Sequence, residues 1–133
     1  MDSTTAPGAD VVTKDSPRSV VETVARLTEQ IEAKGMRVFA RVDQQEAARS
    51  VGLDLRETIL VLFGSPAAGT PVMDAVPLAA LDLPLKVVVW ADGERTRVSY
   101  TAPPALAARY GLAPDLAAKL AGIAGLVDAV VAP

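Results

Sequence analysis

The 133-residue chain contains no cysteine and no histidine. The lack of cysteine excludes disulfides, thiolate zinc sites, iron–sulfur clusters and cysteine nucleophiles. Histidine is the side chain most often used as a general base or metal ligand near neutral pH. A Ser–His–Asp triad, an imidazole zinc site and a His-ligated haem are therefore impossible within one chain, and we expect neither a metal nor another cofactor.

Aromatic and basic residues are also scarce. Aromatic residues make up 4% of the chain, and 13 Lys and Arg face 16 Asp and Glu, for a net charge of −3. Nucleic-acid binding needs dense positive charge, and single-strand binding needs stacking platforms as well, so we expect no nucleic-acid partner. Apolar runs stay shorter than the ~18–20 residues of a membrane span. The first residues do not resemble a secretory signal, and a cytoplasmic protein without membrane contact is expected.

What the chain has is apolar content: 50% of its residues are hydrophobic, enough for a core at this length. Residues 1–14 are small and polar, with Pro7 and Gly8, and are predicted to form a disordered tail. Residues 15–133 are predicted to form one domain. Its first helix is predicted to be capped by Ser16, with Pro17 at the first position. One face of that helix carries apolar residues at spacings typical of a buried stripe, namely Val20, Val24, Leu27 and Ile31.

Strand patterns follow this helix. Residues 36–42 alternate with period two, which indicates a strand with one buried face. The apolar runs 59–63 and 85–90 are typical of inner strands buried on both faces. Asp92-Gly93 is a strong hairpin signal leading into a strand over residues 95–100. With helices over much of the remainder, the pattern predicts an α+β two-layer sandwich: about four mainly antiparallel strands with helices packed on one face.

The segment LFGSPAAGTPVM, residues 62–73, is the strongest candidate for a binding loop. We expect Thr70 to cap a helix that begins at Pro71. Free N–H groups at the start of a helix attract anions, so this segment is a candidate anion site. A phosphate-binding loop would need Lys followed by Ser or Thr after the last glycine, and this segment has Thr-Pro-Val-Met. The alternatives are a structural turn, a small-anion site or an interface. The candidate ligand-binding residues here are Gly64, Ser65, Pro66, Gly69, Thr70 and Met73.

Three further polar residues are weighed as ligand-binding or catalytic groups. Asp43, beside Arg41, fits a general base, but with Glu46 three residues on it also fits a helix-capping box. Lys86 lies near the start of an inner strand and has two interpretations. In the first, its aliphatic stem packs against the sheet and its ammonium group reaches water. In the second, it serves as a nucleophile. Arg41, Asp43 and Lys86 complete the candidate ligand-binding set.

Three series of residues resemble the bacterial and archaeal family called domain of unknown function 302. They are KGMRVFARVD, AARSVGLDLRETILVLFGSPAAGTPVM and LAALDLPLK, within residues 21–112. The resemblance implies a small α+β domain, generally a homodimer, without an established activity. Ser65 stands where the family usually has Asn, and Gln44 stands where it commonly has His.

Three hypotheses of function follow from these patterns. The first is a non-enzymatic homodimeric module that binds a small molecule, an anion or a partner protein through residues 64–73. The second is a small enzyme with carboxylate and lysine acid–base chemistry, which requires Asp43, Asp82 and Lys86 to lie close together. The third is a purely structural dimer subunit with a large apolar interface.

Overall fold

Five antiparallel strands form one sheet in the computed structural model, which describes residues 10–133. The strands are β1 (Val11–Ser16), β2 (Arg37–Asp43), β3 (Thr58–Gly64), β4 (Leu85–Asp92) and β5 (Arg95–Thr101). Their order in the sheet is β1-β5-β4-β3-β2. The helices are α1 (Val20–Ala33), α2 (Gln44–Arg49), α3 (Pro66–Ala75), α4 (Pro103–Tyr110), α5 (Pro114–Ala118) and α6 (Ile123–Val131), with a 3-10 helix at Pro77–Asp82. The predicted α+β class is confirmed, with one strand more than expected.

The main core lies between one face of the sheet and the helices α1 and α6. The apolar stripe predicted for α1 is fully buried there. Alternate residues of β3, β4 and β5 point to the same side, since cross-strand partners share a face. The core side chains of the sheet are Ile59, Val61, Phe63, Leu85, Val87, Val89, Val98 and Tyr100, and those of α6 are Ile123, Leu126, Val127 and Val130.

The opposite side of the sheet, here called the open face, carries apolar side chains that stay partly exposed. They are Val42, Leu60, Leu62, Val88 and Trp90. The prediction that residues 59–63 and 85–90 are buried on both faces was therefore wrong, although β3 and β4 do lie inside the sheet. A continuous apolar run does not by itself tell a doubly covered strand from one whose second face is open.

The tail predicted for residues 1–14 was wrong for residues 11–14, which belong to β1. Val11 pairs with Thr101 and Lys14 with Val98, so β1 occupies the free edge of β5. A short polar strand of this kind is stabilised by its partner, which the local sequence does not show. Residues 1–9 lie outside the described part of the chain.

The start of α1 also differs from the prediction. Ser19, not Ser16, is the cap, and its hydroxyl accepts a hydrogen bond from the Glu22 N–H at 3.1 Å. Ser16 ends β1, and its hydroxyl hydrogen-bonds the buried Thr23 hydroxyl at 2.7 Å. Serine is a favourable cap residue at either position. Because β1 extends to Ser16, the helix begins later and Ser19 caps it.

The buried face predicted for residues 36–42 is confirmed only in part. Met36 and Val38 are partly buried against the main core, whereas Ala40 and Val42 are exposed. β2 is the other edge of the sheet, and its register shifts between Val38 and Ala40. Such a bulge breaks the alternation that the sequence suggests. Phe39 is 46% exposed and Val42 37% exposed as a result.

The β4–β5 hairpin is confirmed, with Asp92 paired to Arg95 and Gly93 at φ +62°. The C-terminal helical segment is divided into α5 and α6. Within residues 10–133, no helix has the length and apolar character needed to cross a membrane.

Candidate functional site

Helix α3 begins directly where β3 leaves the core. Ser65 caps it by accepting a hydrogen bond from the Ala68 N–H at 3.3 Å, and Pro66 takes the first helical position. The prediction that Thr70 is the cap and Pro71 the first residue was wrong, because both lie inside α3. Ser65-Pro66 and Thr70-Pro71 carry the same start signal, and the helix uses the first pair.

Gly69 is a helical residue and not a strained turn residue. The positive-φ glycines of the described chain are Gly35, Gly52, Gly93 and Gly111. A Cβ atom built on Gly69 would meet Met73 Cε at 3.7 Å, an ordinary contact. Backbone strain therefore does not explain this glycine, and open space lies beside it.

That space is a cleft of about 560 Å³ between the first turns of α3, the start of β2, the segment before β4 and the end of α5. Six of the predicted ligand-binding residues line it: Gly64, Ser65, Pro66, Gly69, Thr70 and Met73. Most of the other lining side chains are apolar, namely Met36, Phe39, Leu83, Pro84, Leu85 and Leu120. The structure thus brings the predicted loop residues together around one cavity.

Two cations that sequence reasoning missed also line the cleft. Arg37 comes from the start of β2, and its guanidinium carbon lies 5.6 Å from the centroid of the Phe39 ring. Lys119 follows α5. No carboxylate stands among the lining residues that the structure describes. Nothing in their local sequence relates Arg37 to Lys119, because only the fold brings the two elements together.

The other predicted ligand-binding residues lie away from the cleft. Asp43 caps α2, accepting a hydrogen bond from the Glu46 N–H at 3.0 Å, as its alternative interpretation predicted. Asp43 ends β2, about 20 Å along the strand from Arg37. Arg41 is exposed on that strand, and Lys86 is exposed on β4.

Asp82 is the centre of a charged cluster outside the cleft. Its carboxylate accepts hydrogen bonds from Arg109 at 2.9 Å and from the Tyr110 hydroxyl, and it lies 3.7 Å from Lys86 Nζ. Arg109 also binds Asp10 at 3.1 Å. The cluster ties the 3-10 helix to α4, to β4 and to the residue before β1.

The cluster shifts the ionisation of its members. The Tyr110 hydroxyl, together with Arg109 and Lys86, lowers the pKa of Asp82, although burial opposes that shift. The same hydrogen bond to the carboxylate raises the pKa of Tyr110. The pKa of Arg109 is raised by its hydrogen bond to Asp82. All three shifts favour the charged carboxylate and guanidinium with a neutral phenol, which is the state of a stable structural tie.

The arrangement needed for the enzyme hypothesis is not formed. Asp82 and Lys86 pair, but Asp43 is opposite Ile59 on the helix-covered face of the sheet. Lys86 is opposite Leu62 on the open face. The carboxylate of Asp43 and the amine of Lys86 therefore do not converge.

Residues 12–130 match the family model described as domain of unknown function DUF302. The chain belongs to the DUF302 family. The resemblance seen in the sequence is thereby confirmed. A crystal structure of an uncharacterized conserved DUF302 protein from Bacillus stearothermophilus has the same fold, with a TM-score of 0.79 at 24% identity, over 92% of this chain and 95% of that one.

This DUF302 domain is also similar to part of two larger proteins. It is 38% identical over 112 residues to "Fluoride-specific ion channel FluC 1" of Brucella suis biovar 1 (strain 1330) and to the protein of the same name in Brucella abortus biovar 1 (strain 9-941). The match covers 82% of this chain and 44% and 42% of those proteins, respectively. The chain therefore spans less than half the length of these relatives.

Proposed function

We propose that this DUF302 domain is a cytoplasmic, non-enzymatic module that binds a small molecule in the cleft beside α3 and acts as a homodimer. The observation that carries the proposal is the cleft itself. Its volume of about 560 Å³ falls in the range of small-molecule sites, which are concave, mostly apolar and provided with a few polar groups. Ser65 and Thr70 supply such groups here.

The chemistry of the lining supports binding over catalysis. General acid–base catalysis needs a titratable side chain within hydrogen-bond reach of the substrate. Among the described lining residues, Lys119 is the group best suited to exchange a proton, and it is exposed. An exposed lysine lacks the desolvation that makes an amine a nucleophile near neutral pH.

The open face supports a homodimer. Its apolar residues surround Leu60, and the charged groups nearby are paired within the chain: Arg97 binds Asp15 at 2.9 Å and Asp92 at 3.1 Å. A second copy seated on this face would bury apolar surface without burying an unpaired charge. The same patch on both copies meets the requirement of a two-fold interface.

We expect native mass spectrometry of the purified domain to show a dimer, together with the mass of any small molecule that it carries. Leu60→Lys should shift the protein to monomer, because each interface would then bury two ammonium groups. Leu81→Lys is the matched control, since Leu81 is 75% exposed and lies outside the sheet, and this variant should remain dimeric. A monomeric wild-type protein at micromolar concentration would contradict the dimer.

A second candidate function follows from the relatives named as fluoride channels. We propose that the domain acts beside a fluoride channel as its part outside the membrane. The matching segment, at 38% identity, is less than half of each relative, and this supports the proposal because more than half of each relative remains to form the channel.

The accessory role is tested on the Brucella suis relative by removing the segment that matches this chain. Fluoride efflux from liposomes should change on removal, and adding the separate domain should restore the original rate. Efflux that is equal with and without the segment would contradict this role.

A further inference from the structure

The cleft joins an apolar floor to two cations from separate elements of the fold. Met73, Leu83 and Leu120 contribute apolar surface, while Arg37 and Lys119 are exposed at its border. The site therefore offers two chemically different regions to one ligand.

These two cations differ from most others in the protein. In the part of the chain that the structure describes, seven lysines and arginines form ion pairs with carboxylates, and Arg18 and Arg26 donate to backbone carbonyls of α6. Within residues 10–133, Arg37 and Lys119 have no carboxylate within 4.0 Å, and the same holds for Lys34 and Arg41. Of these four cations, Arg37 and Lys119 are the two that line the cleft. In a chain of net charge −3, positive charge without acidic partners at the edge of a cavity selects for an anion.

Phe39 holds part of this arrangement in place. The Arg37 guanidinium lies over its ring, where the negative face of the aromatic system attracts a cation. The planar guanidinium carries several N–H donors, a geometry that suits a planar carboxylate. Phe39 itself adds apolar surface to the cleft.

We infer that the ligand is a small organic anion with an apolar body, of the class of medium-chain carboxylates. This inference rests on the cleft being the ligand site proposed above. The carboxylate lies between Arg37 and Lys119, and the hydrocarbon part contacts the side chains of Met73, Leu83 and Leu120.

The test is titration of the ¹⁵N-labelled protein with four probes, followed by NMR: octanoate, 1-octanol, octylammonium and acetate. Octanoate should shift the amide signals of residues 64–73 and bind at least about threefold more tightly than 1-octanol, the modest gain expected of exposed charges. Octylammonium should bind more weakly than 1-octanol because it meets two like charges. Acetate should bind more weakly than octanoate because it lacks the apolar body.

Two kinds of variant separate the contributions of charge and cavity. The double variant Arg37→Gln with Lys119→Gln should bind octanoate no more tightly than it binds 1-octanol. Arg49→Gln is its control, because Arg49 is exposed on α2 beyond the far end of β2 and should leave binding unchanged. Gly69→Leu should weaken both octanoate and 1-octanol about tenfold, since its side chain excludes roughly two methylene groups from the cleft.

The outcomes distinguish the two proposals. One outcome is that the wild-type protein binds octanoate and 1-octanol equally, that Gly69→Leu loses both ligands and that the double variant keeps both. This result would overturn the inference that the ligand is an anion, while keeping the cleft as a ligand site. No response to any probe at millimolar concentration would overturn both. Octanoate binding that persists unchanged in Gly69→Leu would place the site elsewhere and also overturn the inference.

Discussion

Phe63→Ala is expected to lower the free energy of unfolding by about 3–5 kcal/mol, a large share of the ~5–15 kcal/mol that stabilises a typical domain. Phe63 is fully buried on β3, and it belongs to the cluster formed by the sheet, α1 and α6. Truncation removes the transfer free energy of the ring and leaves a cavity that two packed layers cannot close. Urea denaturation at neutral pH measures the change.

The chain's other phenylalanine provides a matched control. Phe39 is 46% exposed on the edge strand β2, so Phe39→Ala should cost no more than about 1 kcal/mol. Equal losses for the two variants would contradict the assignment of Phe63 to the core and of β2 to the edge.

The second large effect is expected at Asp82. Asp82→Asn should reduce the free energy of unfolding at pH 7 by about 1–2 kcal/mol, because the charge-assisted bonds from Arg109 and Tyr110 and the attraction of Lys86 are lost. The side chain is 20% exposed, so water replaces these partners only in part.

The effect should depend on pH in a defined direction. The folded-state pKa of Asp82 lies below its ordinary value of about 3.9, so its contribution is fully present well above that value. The contribution is lost as pH falls through the unfolded pKa and then the lowered folded pKa. The stability difference between wild type and Asp82→Asn should therefore shrink as the pH falls below about 4, when measured by urea denaturation.

Asp74→Asn is the control for this pH series. Asp74 is exposed on α3 and forms no ion pair with another described residue, so its variant should follow the wild-type pH dependence. A difference between wild type and Asp82→Asn that stayed constant from pH 7 to pH 3 would show that Asp82 stabilises the fold without its charge.

Several local features were predictable because neighbouring residues decide them. The stripe of α1 is set by the helical period, the hairpin by Asp92-Gly93, and the cap of α2 by Asp43. The grouping of residues 64–73 was also accessible, because a strand followed at once by a capped helix keeps them together. Whether they bind a ligand stays a prediction.

Other features depended on contacts that no local pattern contains. β1 exists because β5 offers it an edge, and Ser19 replaces Ser16 as a cap because that strand extends to Ser16. Arg37 and Lys119 meet at one cleft although more than eighty residues separate them.

The α+β class, the family and the exclusion of cysteine and histidine chemistry were accessible from the sequence, because composition, periodicity and motifs do not depend on how the chain folds. The edge that each outer strand takes, the face of the sheet that stays open and the cations that border the cleft became apparent only in the folded protein. These features depend on strand pairing and burial between segments that are far apart in the sequence. The free energy of such contacts depends on both partners, so no single segment predicts it.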